Sequence, residues 1–452
     1  MASVESAFQT AHGHQRAGRW AEGETLCRRI LEQHPSHAGS WHLLGVIAFQ
    51  MGRRGDALAA IRQAIAIDPR QAAFHCHLGE VHRALGQLDE ARLCYERAIQ
   101  LQPDFADPYN NMGLLLRITG DVPGAVRQFQ RAIELQPNDA DTHHGLGCAL
   151  LLQGDFERGW REYAWRFRSP GRPSTKIPLP EWDGTPLLGQ RLLTYAEQGF
   201  GDTLNFIRYL PLVESRGSLV TAVVQEELLP ILTASGFKNL IPPRTPAPTC
   251  VAHLPLVGLP GALGTTLKTV PASVPYLHAD PQLVERWRAR LSPIAGFRVG
   301  IAWQGQKSHP LDVFRSIPLA AFEPLARPSG VRLVSLQIGE GARQIDGLAG
   351  RFAVTCFDDP FDVEHGPFMD TAAVMMNLDL VVTCDSAIAH LAGALGVPVW
   401  VALCAAPDWR WMLNRPDSPW YPTMRLFRQS VLGQWSDVFA AIANAITESR
   451  QR

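Results

Sequence analysis

Four prolines, Pro35, Pro69, Pro103 and Pro137, stand 34 residues apart, and Gly45, Gly79, Gly113 and Gly147 keep the same interval. Small residues recur with them at Ala57, Ala91 and Ala125 and at Ala64, Ala98 and Ala132, and a large apolar residue recurs at Ile61, Tyr95 and Phe129. A fixed period of this length means one supersecondary unit copied in series, each copy unable to bury its apolar face alone. The residue types describe the unit. Gly and Ala stand where two antiparallel helices approach closely, the bulky residue fills the space between them, and Pro opens the turn to the next unit.

This is the pattern of the tetratricopeptide (TPR) repeat. Residues 4–37 read as a degenerate first unit, 38–139 as three clear units and 140–169 as a variant last one, where Gly159 replaces the expected Ala and the aromatic-rich run GWREYAWRFR follows. Such an ending suits a cap that docks onto the next domain. Stacked helix pairs curve into a solenoid whose concave groove fits an extended peptide or a protein surface, so a protein acceptor or partner is the expected ligand of residues 1–169. Asn110 and Asn111, on the first helix of the third clear unit, are candidate acceptor contacts because an amide donates and accepts at once. Ordinary solvated helix positions are the other reading of that pair.

At 452 residues the chain is long for one core, and 46% hydrophobic with 19% charged residues is the composition of a folded chain throughout. With 42 basic against 43 acidic residues there is no field to gather phosphate backbones, which argues against nucleic acid as a partner. Eight scattered cysteines without a CxxC pair read as reduced core thiols. The first residues lack a basic stretch followed by an apolar one, so a cytoplasmic location is expected. The one membrane-like stretch, 387–407, is divided by Gly396-Val397-Pro398, which predicts a helix, a tight turn and a buried strand rather than a membrane span.

A Pro- and Gly-dense linker, 170–189, separates the repeats from short apolar runs alternating with helical stretches: RLLTYAE, LVTAVVQ and NLIPP, then FRVGIAWQG, VRLVSLQ, RFAVTCF, LDLVVTCD and PVWVALC. Strands alternating with helices predict parallel sheets covered on both faces. The expected fold is therefore α plus α/β: the TPR solenoid, then a Rossmann-like half over 190–292, a second over 293–430, and a C-terminal helix within 431–452. That helix is amphipathic, and crossing back to the first half is one placement open to it. Ligands of such sheets bind at the carboxyl ends of the strands.

Candidate chemistry gathers at those ends. In EQGFGDTLNF, Gly199 and Gly201 leave the backbone bare at a strand-to-helix turn, and Asp202 could draw a proton from an acceptor hydroxyl or simply cap the helix. The absence of GxGxxG and of GxxxxGK[ST] disfavours a dehydrogenase or a P-loop ATPase. The loop after FRVGIAW supplies Lys307, His309 and Arg315; a cation there would stabilise a diphosphate leaving group, and Arg315 is the first choice, with Trp303, Gln304 and Gly305 shaping the pocket and Gln337 closing the next strand. In LDLVVTCDSAIAHLAGALG a buried strand runs into a helix at Asp385-Ser386-Ala387. Its free N–H groups would seat a diphosphate, with His390 one turn in as a supporting residue and Asp385 as the cap. Trp409, Arg410, Trp411, Trp420 and Tyr421 suit either sugar stacking or a hydrophobic cover. Asp358, Asp359 and Asp362 read as a turn rather than a metal cluster.

The GFGD turn, the RVGIAW strand with RSIP after it, and DSAIAHLAGALG, in this order, resemble the bacterial heptosyltransferase-like glycosyltransferases of the family 9 type over roughly residues 190–430. The branch in which such a domain follows TPR repeats is the most similar. The resemblance implies the two-domain GT-B fold, metal-independent inverting transfer with no cofactor besides the nucleotide-sugar substrate, Asp202 as base, Arg315 on phosphate, and a donor turn at Asp385, Ser386 and Ala387. Ala387 departs from the glycine of that turn. Similarity to TPR-linked protein O-glycosyltransferases, including those acting on flagellins, implies a Ser or Thr acceptor. A glycan or lipid-linked acceptor, and a scaffold without catalysis, are the competing readings.

Overall fold

The computed structural model describes residues 3–168, 177–307, 312–357 and 362–451. His309, Asp358 and Asp359 lie outside the described residues. Two compact units form: residues up to 149 together with 165–168, and residues 150–164 together with 177–451. The division falls inside the helix Ala140–Gln153.

The repeats fold as helix pairs: Val4–Arg16 with Trp20–Gln33, Ala38–Gln50 with Arg54–Ile67, Ala72–Ala84 with Leu88–Leu101, Ala106–Thr119 with Val122–Leu135, and Ala140–Gln153 with Phe156–Tyr163. A Cβ placed on Gly45, Gly79 or Gly113 would stand 2.5 Å from Ile61, 2.4 Å from Tyr95 or 2.8 Å from Phe129, so the periodic Gly and the periodic bulky residue are the two sides of one contact. The turn inside each pair is a second periodic glycine, Gly18, Gly52, Gly86, Gly120 and Gly154, with φ between 72° and 93°, a left-handed backbone that other residues resist. The prolines have a further role. The carbonyls of Pro35, Pro69, Pro103 and Pro137 accept from Trp41 Nε1, His75 Nε2, the Tyr109 hydroxyl and His143 Nε2 at 2.8–3.0 Å, always six residues on. Each linker between units is thereby tied to the helix it opens.

The second unit holds two all-parallel sheets. The first comprises β1 (Arg191–Tyr195), β2 (Leu219–Val223), β3 (Leu240–Ile241) and β4 (Ala252–Pro255) in the order β3-β2-β1-β4. The second comprises β5 (Phe297–Ala302), β6 (Val331–Ser335), β7 (Val354–Thr355), β8 (Leu380–Cys384), β9 (Val399–Leu403) and β10 (Met424–Arg428), in the order β10-β9-β8-β5-β6-β7. In this doubly wound order the chain reverses direction between β5 and β8, the crevice where ligands of such sheets sit.

The C-terminal helix, Ser436–Ser449, does not cross back: Val438, Phe439, Ile442 and Ile446 are buried with Val299, Ile301 and Leu333 of the second sheet and with Phe322. Within 177–189 the Trp182 N–H donates to the His253 carbonyl at 2.8 Å and the Trp182 side chain is buried. Among the described residues no disulfide joins the cysteines, and Cys356 is exposed, which corrects the reading of core thiols, while Cys27, Cys76, Cys384 and Cys404 are buried. The stretch from 387 does divide into the helix Ala387–Ala394, a left-handed Gly396 and β9. Among the described residues no helix is long and apolar enough to cross a membrane.

Candidate functional site

The end of β1 leads into the short helix Phe200–Phe206, and Asp202 stands at its third position. Its Oδ2 accepts from the Gly199 N–H at 3.0 Å, so the carboxylate does cap the helix. Gly201 is needed for a different reason: a Cβ there would lie 2.8 Å from the His390 ring and 3.5 Å from the Ala387 Cα, because the start of this helix packs directly on the helix Ala387–Ala394. Gly199 is exposed.

The other oxygen of Asp202 bonds Arg410, whose guanidinium also donates to Asp408 at 2.8 Å. Arg410 is 5% exposed, its charge lies 4.2 Å over the Trp409 ring, and 208 residues separate it from Asp202. Burial by itself would lower this guanidinium, but the Asp202 and Asp408 carboxylates outweigh it and hold its pKa above the ordinary value. At the end of β8, burial and the neighbouring Asp408 charge raise the Asp385 carboxyl, against the pull of Arg315. Arg315 lies 3.7 Å from Asp312 and packs over Gly305, where a Cβ would come within 2.9 Å of it. Asp202, Arg410, Asp408, Asp385 and Arg315 thus form one chain of electrostatic neighbours along the carboxyl ends of both sheets.

Ser386, not Asp385, is the N-cap of the helix Ala387–Ala394, and its own side chain makes no capping bond. Asp385, Ser386 and Ala387 are half-buried at the carboxyl end of β8. His390 is enclosed. Its Nδ1 lies 2.9 Å from the Tyr421 hydroxyl, which donates onward to Asn205 Oδ1 at 3.1 Å, and its ring stacks on Trp411. Burial and the nearby Arg410 charge lower its pKa to about 3, so it is neutral.

Several expected contacts are placed elsewhere. Trp303 is fully buried, with Nε1 donating to the Gly341 carbonyl, which removes its side chain from any ligand surface. Gln337 is a clasp: Oε1 accepts from the Trp303 and Gln304 amides at 3.0 and 2.9 Å, and Nε2 donates to the Gln304 and Ile338 carbonyls. Lys307 is exposed and pairs with Glu340. Trp409, Trp411, Trp420 and Tyr421 are buried, so the hydrophobic-cover reading holds and sugar stacking by them does not. Asp362 sits in a left-handed turn and accepts from the Thr371 amide and hydroxyl. In the repeats, Asn111 is buried and donates to Glu80 at 3.0 Å and to the Cys76 sulfur, joining neighbouring units, whereas the buried Asn110 Oδ1 has no hydrogen-bond donor among the described residues. Sequence reasoning placed Arg410 in the stacking or cover segment, and nothing local pointed to its pairing with Asp202.

The sequence model described as "Tetratricopeptide repeat" matches residues 8–72, and one described as "TPR repeat" matches 79–117 and 113–154. The N-terminal part is a helical array of TPR repeats. Protein FlbA of Caulobacter vibrioides is 28% identical over 313 residues, covering 64% of this chain and 52% of that protein. That share is larger than the repeats occupy, so the likeness extends into the α/β unit; the chain spans about half the length of this curated relative. Among solved structures, a thermophilic TPR protein of Thermus thermophilus is similar at 19% identity, covering 38% of this chain and 93% of that one, with a TM-score of 0.34. PilF of Pseudomonas aeruginosa is similar at 18% identity, covering 47% and 86%, with a TM-score of 0.37.

Proposed function

We propose that the chain is a glycosyltransferase of the GT-B type that moves a sugar from a nucleotide-sugar donor to the hydroxyl of a Ser or Thr on a protein recruited by the TPR array. The observation that carries the reading is the reversal of strand order between β5 and β8, where the half-buried start of the helix Ala387–Ala394 meets the Asp202 turn. Amides and the positive end of a helix favour a diphosphate, and Arg315 would add a cation beside it. The acceptor oxygen attacks the anomeric carbon, the bond from that carbon to the diphosphate oxygen breaks, and the hydroxyl proton passes to the Asp202 carboxylate. Attack from the face opposite the leaving group inverts the anomeric centre. No metal takes part in this reading, because the helix amides and Arg315 carry the leaving-group charge.

One observation favours a second reading. Both Asp202 oxygens already have partners, Gly199 and Arg410, as a structural carboxylate would. In that case the chain is a TPR interaction protein whose α/β unit binds without catalysing. Incubation of the purified protein with a panel of nucleotide sugars and cell lysate, read as mass shifts on proteins, separates the two. Asp202→Asn should abolish transfer and leave donor binding intact; undiminished transfer by that variant removes Asp202 from the chemistry.

A further inference from the structure

The turn that carries Asp202 is bare of side chains at Gly199 and Gly201, so its position must be set from outside. Gln198, immediately before it, is clamped twice. Its Nε2 donates to the Tyr163 hydroxyl at 2.8 Å, and its carbonyl accepts from Gln225 Nε2 at 2.9 Å, while Gln225 Oε1 accepts from the Thr203 hydroxyl at 2.8 Å. Tyr163 is 3% exposed and lies on Phe156–Tyr163, the last helix of the repeat pattern, which belongs by its contacts to the α/β unit. That helix is fixed there by Trp160, whose Nε1 donates to the Thr265 carbonyl at 3.1 Å and whose Cβ side abuts Gly261. The Tyr163 ring also meets Trp409 edge-on at 5.7 Å, and the face of Trp409 carries Arg410, the partner of Asp202. One side chain therefore touches a neighbour of each support of the Asp202 carboxylate, Gln198 beside Gly199 and Trp409 beneath Arg410.

We propose that Tyr163 is a positioning residue for the Asp202 turn, acting through Gln198 and through the Trp409-Arg410 ledge, so that the terminal helix of the repeat pattern is part of the reaction machinery. The kinetic consequence rests on the glycosyl-transfer reading above; the structural one does not. A displacement of about 1 Å at a reacting group can cost about a hundredfold in rate.

The test uses the full chain carrying Tyr163→Phe, which keeps the ring and removes the hydroxyl, and Gln198→Met, which removes the same bond from the other side. Amide hydrogen exchange over residues 196–206 should quicken about tenfold in both, with the thermal midpoint and the exchange of 409–421 unchanged. With the best substrate among UDP-, GDP-, ADP- and CMP-linked sugars, kcat should fall about tenfold while KM for the nucleotide sugar stays constant, because Tyr163 does not touch it. Unchanged exchange in 196–206 overturns the proposal, and so does a uniform rise across the unit with a lowered midpoint, the mark of a merely structural tyrosine. If the wild-type protein turns over none of these sugars, the functional reading falls, and quickened exchange confined to 196–206 still upholds the placement of the turn by Tyr163.

Discussion

The repeats and the α/β unit are held by contacts of different reach. Between repeats, side-chain bonds join Asn111 to Glu80, 31 residues away, and His42 to His77, 35 residues away. In the α/β unit, Arg410 reaches Asp202 across 208 residues, Arg208 reaches the Trp420 carbonyl across 212, and Tyr421 reaches Asn205 across 216. A solenoid whose units touch only their neighbours can lose one contact and yield locally, whereas a fold closed by distant pairings loses its site as a whole. The same substitution should therefore be felt differently in the two regions.

The largest expected effect comes from where the regions are cut. Removing residues 1–169 strips Phe156, Trp160 and Tyr163 from the aromatic cluster with Trp409 and Trp420, and the product should aggregate. Removing residues 1–149 keeps that helix and should give a soluble protein with one thermal transition; equal solubility of the two fragments would place the Phe156–Tyr163 helix with the repeats after all. Next, Arg410→Met leaves Asp202 and Asp408 without their common cation, which should cost about 3–5 kcal/mol in urea unfolding of the α/β unit and leave the melting of the repeats alone. Gly79→Ala drives a methyl to 2.4 Å from the Tyr95 ring and should cost about 1–3 kcal/mol. Its signature should be a broadened first transition with the second unmoved, which calorimetry can resolve.

Acid should act on both regions through a histidine. Burial lowers His390, and burial with the adjacent His77 and His12 lowers His42, each to about 3. Between an unfolded histidine near 6.5 and these values the unfolded chain binds protons that the native chain refuses, so stability rises with pH and is lost on acidification. For the buried His390 the slope is at most about 1.4 kcal/mol per pH unit. Urea midpoints at pH 7 and pH 5 should show a shallower slope in the second transition for His390→Asn; an unaltered slope contradicts a neutral His390. The smallest effect belongs to Lys307→Ala, whose exposed pair with Glu340 should leave both transitions where they are.

Much of this was legible where the determinants are local. The 34-residue period announced the helix pairs because each contact recurs at one spacing. Apolar runs announced β1, β2, β3 and β5 to β9. Two strands were missed. β4 is four residues long, contains His253 and ends in Pro255, and β10 reads M-R-L-F-R inside a segment dense in Trp, Pro and Arg. Only their parallel pairing with β1 and β9 makes strands of them. Of the candidate site, the strand-to-helix junctions at Asp202 and Asp385 were legible, since glycines and such junctions are local signals. The burial of Trp409 and Trp420 depends on Phe156 and Trp160, about 250 residues earlier, and no window of sequence contains both. Trp303 was misjudged for a related reason, because the end of a strand is also where large side chains close the core.

The five left-handed glycines at Gly18, Gly52, Gly86, Gly120 and Gly154 give the array a modular grammar. A module excised from one such glycine to the next rejoins two identical bends, so the length of the array can drift by whole units without any new loop having to be found. The number of modules is then free to follow the size of whatever the groove must grasp.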